Sequence, residues 1–446
     1  MNKFNRPLVF SEGITSAASV AYIAVLCIAG FITNLFPFGV TNTGTILLYA
    51  LAMILCVAGL LYLLGPLQKH AVLLILSILV LSGLALAKAL VDTNEFSQRT
   101  REFVILGLGS WPVLLFAHID SRRTRERLLT TLAIGLFFLC SFAIFQSVFA
   151  DILPTSLFAL RGDIPFSVDD DQILRPTGLT GNPIIFSSIL VLASAHFGAF
   201  WLERRKFRYL FALIVSLLAN YLTYTRASLI LVVPVLAVVW LLHKRFKIRH
   251  KISLLFALLL VMAAGQFLLV RGVNLIMVQR LSNSDASTIG STLEHIVQIQ
   301  NSANAIIAHP FVGAGFGSQG DFVGPDNVII TDGAWWILVL EFGVPLAVLT
   351  IILLCAVLRS FLKYVLRPES KDRELAIAAL AFHAYIIPGS IINSALLGHI
   401  SFGLYWVLMG LAVSTLKVDP KLNPSSVSDL YAPRARRFRP ELNEAL

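Results

Sequence analysis

Apolar stretches about as long as a bilayer is thick dominate the pattern of the chain. A helix of about 20 mostly apolar residues crosses the hydrocarbon core of a membrane. Twelve such stretches alternate with polar segments, which predicts an all-α, polytopic integral membrane protein. The predicted spans are 14–36, 41–64, 71–91, 103–119, 128–150, 182–201, 207–224, 227–243, 252–270, 333–358, 374–394 and 398–416.

The segments between the spans divide the chain into four predicted parts. Residues 1–270 hold the first nine spans and include a long connection at 151–181. A loop of 62 residues follows at 271–332. Residues 333–416 hold the last three spans, and 417–446 form a basic tail. Long connections in a compact protein usually carry function or are disordered. Because the loop 271–332 contains regularly spaced apolar residues, it is predicted to be ordered and to contribute to a functional site.

Basic residues are distributed unequally between the two predicted faces. With twelve spans both termini share a face, and 27 of the 35 Lys and Arg residues fall on it. Lys and Arg accumulate on the cytoplasmic side of membrane proteins, so both termini are predicted to be cytoplasmic. The connections 151–181 and 271–332 then lie on the opposite, outer face.

Composition excludes several classes of protein. Apolar residues make up 57% of the chain and charged residues only 13%, against about 25% in soluble domains. A soluble enzyme, a disordered protein and a nucleic-acid-binding module are therefore not expected. The net charge of +10 comes mostly from Lys and Arg residues on the predicted cytoplasmic face, where they set the topology and lie next to anionic lipid. The four cysteines all fall inside apolar runs and indicate neither a disulfide framework nor a metal site.

The large outer loop contains a predicted amphipathic helix at 291–308. Its apolar residues recur at helical spacing, and Ser291 and Glu294 form the S-x-x-E pattern of a capping box. The helix should stop before Pro310, because the residue preceding a proline disfavours the helical conformation.

A series of glycines, at positions 313, 315, 317 and 320, follows this helix. Backbone N–H groups of such a series can cradle a phosphate. The alternative is a tight loop packed on the membrane domain, where glycine serves backbone geometry alone. A nucleotide-binding fold is not indicated, since no strand precedes the glycines and no P-loop lysine follows them.

Three arginines on the outer side are candidate ligands of a diphosphate. Arg226 lies between two spans with almost no loop around it, where a charge is costly and is a functional candidate by default. Arg175 precedes the sixth span and Arg280 lies early in the large loop. A guanidinium pairs with phosphate through two parallel hydrogen bonds. The alternative for Arg226 is a side chain that snorkels to outer headgroups.

Candidate general bases are few. Asp332 precedes the tenth predicted span, His309 precedes Pro310, and Glu294 lies on the predicted amphipathic helix. A lone histidine before proline is more often an ordinary loop residue than a catalyst. No set of His, Cys and carboxylate residues has the spacing of a metal site, so no metal and no cofactor are expected.

Four motifs in order resemble the O-antigen ligase and polymerase superfamily, polytopic enzymes of bacterial surface-polysaccharide assembly. The resemblance covers about residues 170–350 and is carried by GLTGNP at Gly178–Pro183, TYTRASL at Thr223–Leu229, HPFVGAGFG at His309–Gly317 and DGAWWILVLEFG at Asp332–Gly343.

The resemblance implies a glycan donor carried on undecaprenyl diphosphate and a metal-independent transfer at the periplasmic face of the bacterial inner membrane. It matches Arg226 to the turn arginine that engages the donor diphosphate and makes Arg280 a candidate for the loop arginine. Ligases of the superfamily usually carry His followed by Asn where this chain has Asp332 and Gly333. Polymerases vary more at this point, so the resemblance favours a polymerase.

The sequence therefore predicts a polymerase of lipid-linked oligosaccharide repeat units. A ligase that moves glycan to lipid A-core or another acceptor is the alternative, and a transporter is less favoured because no internal repeat is visible. The partners are the undecaprenyl-diphosphate oligosaccharide, a glycan or lipid acceptor, membrane lipid and a chain-length regulator, without nucleic acid. The candidate catalytic residues are Asp332, Arg226, Arg280 and His309, and the candidate substrate contacts are Arg161, Arg175, Asn182, Glu294, Gly313, Gly315 and Gly317.

Overall fold

In a computed structural model, the regular secondary structure of the described residues is helical, apart from one short pair of strands. The structure describes residues 12–35, 50–52, 54–55, 110, 112–117, 119, 121–154, 157–158, 167–168, 173–178, 180, 182–243, 286–311, 313, 333–367, 370, 372–392 and 399–416. The predicted spans 71–91 and 252–270, nearly all of 41–64, most of 103–119 and the basic tail 417–446 lie outside these residues.

Helices make up most of the described chain. They are α1 (Glu12–Leu35), α2 (Pro112–Ala117), α3 (Arg122–Val148), α4 (Pro183–Arg204), α5 (Phe207–Leu222), α6 (Arg226–Leu242), α7 (Ala286–Ala308), α8 (Ala334–Phe342), α9 (Val344–Leu366), α10 (Glu374–Ile392) and α11 (His399–Leu416). The strands β1 (Ser167–Val168) and β2 (Ile173–Leu174) pair antiparallel, with Ser167 opposite Leu174.

Four of the described helices are long and apolar enough to cross a membrane: α3, α4, α9 and α10. Shorter apolar helices occupy α1, α5, α6 and α11. Seven of these eight coincide with a predicted span, and α9 overlaps the second part of one, so a helical membrane protein is confirmed at this level. The reason is that continuous apolar sequence of this length is stable in lipid only when every backbone N–H and C=O is bonded within the segment.

The centre of the bundle is formed by α4 and α10. Helix α4 packs against α3, α5, α6, α10 and α11, and α10 packs against α4, α6, α8, α9 and α11. Small residues allow the close approach of α4 to its neighbours, as at Ser194, whose hydroxyl lies 3.0 Å from that of Ser216 on α5. Packing of small residues and hydrogen bonds across helices are what hold helices together in lipid.

Ion pairs mark one end of the bundle. Arg204 at the end of α4 donates to Glu126 near the start of α3 at 3.0 Å and to Glu374 at the start of α10 at 2.7 Å. Arg373 donates to the carbonyl of Leu242 at the end of α6. We call this the basic end, because the predicted cytoplasmic segments meet there. Arg226 starts α6 and therefore lies at the other end.

The tenth predicted span, 333–358, is divided in the structure. Helix α8 ends at Phe342, Gly343 adopts φ 81° and ψ 164°, and α9 starts at Val344. Only glycine reaches this backbone conformation without strain, so the break lies at a residue of the type that permits it. Helix α9 is the part that is long and apolar enough to cross a membrane, and α8 is a separate short helix that precedes it.

The amphipathic helix predicted at 291–308 is observed as α7, which ends at Ala308 as expected before Pro310. It begins earlier than predicted, at Ala286. Ser291 and Glu294 therefore lie inside the helix rather than at its start, so the predicted start of the helix at Ser291 is wrong.

Candidate functional site

A tight turn between α5 and α6 places Arg226 at the start of a helix. Helix α5 ends at Leu222 and α6 begins at Arg226. Between them Tyr224 adopts a left-handed conformation, with φ 53°, which reverses the chain within three residues. The first N–H groups of a helix have no intrahelical partner and form the positive end of its dipole. Arg226, which is half-buried, therefore adds its charge where an anion is already favoured.

Arg175 holds this turn from inside the protein. Its Nε donates to the carbonyl oxygen of Thr223 at 2.9 Å, and its Nη2 donates to the hydroxyl of Thr225 at 2.9 Å. Arg175 is 7% exposed. The structure thus brings two of the predicted arginines to the same turn. Arg175 is buried and bonded to the backbone of the turn, whereas Arg226 is half-buried at the start of α6.

The segment that carries Arg175 is itself anchored by Gln146 of α3. The buried side chain of Gln146 donates to the carbonyl of Leu157 and accepts from the N–H of Gly178 at 2.9 Å. Gly178 has φ 53°, and a Cβ added there meets the ring of Phe186 at 1.9 Å. Only glycine fits this position, so the first glycine of GLTGNP serves backbone geometry.

Asn182 caps α4 with its side chain. Its Oδ1 accepts from the N–H groups of Ile184 at 2.8 Å and Ile185 at 3.4 Å, and Pro183 follows in the first turn. Asparagine followed by proline is a strong combination for starting a helix. The amide oxygen of this predicted substrate contact is engaged in the cap.

Asn220 and Ser228 form a buried polar pair that joins α5 to α6 below the turn. The hydroxyl of Ser228 donates to Oδ1 of Asn220 at 2.8 Å. Nδ2 of Asn220 is buried and has no hydrogen-bond partner among the described residues. Sequence reasoning missed Asn220 and Gln146; the signal available was a single amide side chain within an otherwise apolar run, since such groups are rarely buried without a purpose.

His309 and Gly313 follow α7 in the chain and lie next to α8. The carbonyl of His309 accepts from the N–H of Gly313 at 3.1 Å, and the carbonyl of Pro310 accepts from Val344 at 2.9 Å. A Cβ added to Gly313 meets the carbonyl oxygen of Leu340 at 2.5 Å. Gly313 therefore serves close packing, and its N–H is already engaged. The side chain of His309 is exposed.

Two tryptophans hold α8 against the C-terminal end of α10. Nε1 of Trp335 donates to the carbonyl of Ile387 at 2.9 Å, and Nε1 of Trp336 donates to that of Ile391 at 2.9 Å. Gly333, the N-cap residue of α8, packs so closely on Ile391 that an added Cβ meets its carbonyl oxygen at 2.4 Å. The chain entering α8 is thereby fixed in position, directly after Asp332.

Most of the remaining candidate residues lie outside the part of the chain that the structure describes. Arg161, Arg280, Asp332, Gly315 and Gly317 lie outside the described residues. The backbone of Glu294 lies in α7. Glu341 at the end of α8 is buried, 4% exposed.

The phenol of Tyr224, two residues before Arg226 in the turn, stays neutral over the physiological pH range. Burial, and to a lesser extent the neighbouring Tyr221, raises the pKa of Tyr224 above its ordinary value. Tyr224 therefore offers a hydrogen-bond donor without a competing negative charge. Within the described ranges, no three His, Cys, Asp or Glu side chains are grouped so that they hold a metal ion.

Comparison of the sequence with protein-family models and with curated proteins gives no match. The site therefore rests on its own geometry.

Removal of the Arg175 contacts is expected to destabilise the turn. Arg175→Ala leaves the Thr223 carbonyl and the Thr225 hydroxyl without their charged donor, at a cost of about 3 kcal/mol, since a hydrogen bond to a charged group contributes about 1.5–3 kcal/mol. Thr225→Val, which removes one of the two acceptors, should cost about half as much. Thermal unfolding of the purified protein in detergent measures both losses.

Thr225→Ser is the matched control for these variants, because it keeps the hydroxyl. Its unfolding temperature should equal that of the unchanged protein. If Arg175→Ala unfolds at the same temperature as the unchanged protein, Arg175 does not hold the turn.

Proposed function

We propose that this protein is a membrane glycosyltransferase that polymerises oligosaccharide repeat units carried on undecaprenyl diphosphate. The observation that carries the proposal is the position of Arg226, at a helix start on a turn that a second, buried arginine supports. A helix N-terminus and a guanidinium together favour a phosphate group. The four sequence motifs, two of which border this turn, supply the substrate class.

In the proposed reaction a sugar hydroxyl of one repeat unit attacks the anomeric carbon of another. The bond between that carbon and the diphosphate oxygen breaks, a glycosidic bond forms, and undecaprenyl diphosphate leaves. Arg226 and Arg280 stabilise the negative charge that develops on the leaving group. Asp332 accepts the proton of the attacking hydroxyl. The donor supplies the free energy, so no nucleotide and no cofactor take part.

Arg175 acts in this proposal through Arg226. Its guanidinium fixes the backbone of the turn, which sets the direction in which Arg226 leaves the helix. A fixed charge stabilises a developing negative charge better than a mobile one, because it does not have to reorganise during the reaction.

The proposed location is the bacterial inner membrane, with twelve spans. Both termini lie in the cytoplasm, and the segments 151–181 and 271–332 face the periplasm, where the Arg226 turn receives the lipid-linked donor. The grouping of charged residues at the opposite, basic end supports this orientation. A chain-length regulator is the proposed protein partner.

Synthesis from defined substrates tests the proposal directly. The purified protein in lipid is supplied with repeat units on undecaprenyl diphosphate and no other acceptor. A ladder of products that differ by one repeat unit is the expected result. Growth that requires added lipid A-core indicates a ligase instead, and the absence of transfer to either acceptor contradicts the proposal.

The orientation makes a separate prediction about accessibility. Ser318→Cys places a thiol in the proposed periplasmic loop, and Ser370→Cys places one at the basic end, in otherwise cysteine-free protein. An impermeant maleimide added to cells with a permeabilised outer membrane should label position 318 and spare position 370. The reverse pattern of labelling contradicts the orientation.

A further inference from the structure

A polar cavity lies at the basic end of the bundle, away from the Arg226 turn. Its volume is about 430 Å³, and it is bordered by the start of α3, the ends of α4 and α6, and the residues that lead into α10. Helix α6 has 17 residues between Arg226 and Leu242. At a rise of 1.5 Å per residue the two ends are about 25 Å apart. The cavity is therefore separate from the proposed site of glycosyl transfer.

The carboxylates of this cavity already have cationic or histidine partners. Arg204 donates to Glu126 and Glu374, and Arg125 donates to Asp372 at 3.3 Å. Each of these three carboxylates is therefore paired within the protein.

Glu203 pairs in the same way with a histidine. Its Oε1 lies 3.0 Å from Nδ1 of His243. Because the carboxylates are paired in this way, the cavity does not need an additional cation from outside.

Arg373 differs from the other lining residues. It is 4% exposed, and its Nη2 donates to the carbonyl of Leu242 at 2.6 Å. Its Nε and Nη1 are buried and, among the residues that the structure describes, have no hydrogen-bond partner. Oε1 of Glu203 lies 3.9 Å from Nε, which is an ion-pair distance but too long for a hydrogen bond.

Among the described residues that line the cavity, the buried polar atoms without a partner are thus all hydrogen-bond donors. A guanidinium has only donors and keeps its charge in proteins, even though burial lowers the pKa of Arg373 from its ordinary value. A buried donor without a partner costs about 1–3 kcal/mol, more when it is charged. A ligand that meets this need must present acceptor oxygens, and an anionic one gains most.

We propose that this cavity binds a phosphate group, with Arg373 as its principal donor. Arg122, whose side chain is 76% exposed and 4.0 Å from Asp372, adds a further positive charge at the cavity besides Arg373 and the paired Arg204. Two sources offer the same chemistry at this end of a membrane protein: free phosphate, and the phosphate of an anionic lipid headgroup. Basic pockets between helices near the cytoplasmic surface are known to bind such headgroups.

Thermal unfolding of the purified full-length protein in detergent tests the proposal. Inorganic phosphate, compared with chloride at equal ionic strength, should raise the unfolding temperature, because a ligand that binds only the folded state stabilises it. Arg373→Gln should abolish the rise. Arg123→Gln, at an exposed residue of the same end that does not line the cavity, should retain it.

Nanodiscs distinguish the two sources. If phosphatidylglycerol raises the unfolding temperature relative to phosphatidylcholine in an Arg373-dependent manner, the ligand is a headgroup. If only inorganic phosphate does so, the ligand is soluble. A rise that is absent in both experiments, or equal in Arg373→Gln, overturns the proposal and leaves a cavity that holds water.

Glu203→Gln is expected to strengthen phosphate binding rather than weaken it, and this test does not depend on folding of the Arg373 variant. Glutamine keeps an oxygen acceptor for His243 but removes the negative charge beside Arg373. The phosphate concentration for half-maximal stabilisation should fall by about tenfold, as expected for removing a repulsive charge a few ångströms away. Unchanged or weaker phosphate binding overturns the proposal. Neither variant touches the Arg226 turn, so the glycosyl-transfer proposal stands or falls separately.

Discussion

Arg226→Ala is expected to abolish polymer formation without loss of protein from the membrane. In the proposed reaction the guanidinium stabilises charge that develops on the departing diphosphate, and removal of one such donor typically lowers the rate by about 10²–10³-fold. The half-buried side chain starts a helix rather than filling the core, so the fold should tolerate its loss. Chain growth from lipid-linked repeat units, normalised to protein in the membrane, measures the effect.

Two further variants separate the roles that Arg226 can have. Arg226→Lys should recover only part of the activity, because an ammonium group does not reproduce the planar, two-point contact of a guanidinium. Arg123→Ala, at an exposed arginine of the basic end, should retain full activity. If Arg226→Ala also makes normal polymer, the arginine only snorkels to the outer headgroups.

Asp332→Asn is expected to lower chain growth by about 10²–10⁴-fold, the usual cost of removing a general base. Asparagine has nearly the same shape but does not accept a proton from the attacking hydroxyl. Binding of the lipid-linked donor should persist, because the arginines are unchanged. Measuring donor binding and chain growth on the same purified variant separates loss of chemistry from loss of binding.

The position of Asp332 in the chain helps to distinguish a catalytic role from a structural one. The N-cap residue of α8 is Gly333, so Asp332 precedes the cap. Asn is also about as good as Asp at a helix N-terminus, so a structural role predicts little change. Asp326→Asn in the same outer segment is the control and should leave chain growth unchanged. Normal growth in Asp332→Asn moves the search for a base to His309 or Glu294.

Most of the described helices could be predicted because apolar length is a strong signal in a membrane protein. The predicted span 182–201 is α4, and 374–394 is α10. The break at Gly343 could not be predicted in the same way, since apolar residues continue on both sides of it. A glycine within an apolar run permits a break but does not require one, and here packing of Gly313 against α8 accompanies it.

The surroundings of the site arginines were harder to predict than the residues themselves. The sequence singles out Arg175 and Arg226 as outer-face charges, but the partners of Arg175 lie about 50 residues further along the chain. One of them is a backbone carbonyl, which has no signature in a sequence. Gln146 was missed for the same reason, because its partners are the backbone groups of Leu157 and Gly178.

The burial of α4 has a consequence for the biosynthesis of the protein. Of its most apolar stretch, 83% is covered by other parts of the protein, against 17% for α9. Its covered surface includes Ser187, Ser188 and His196, side chains that are poorly suited to lipid.

Helix α10, the principal late neighbour of α4, begins 170 residues after Arg204. At about 5–20 residues per second, a ribosome needs roughly 10–30 s to make that stretch. During this interval α4 depends on α3, α5 and α6, the neighbours that are made before α10, to shield its polar side chains from the bilayer. A chain truncated before α10 is therefore expected to expose part of the polar surface of α4 to lipid.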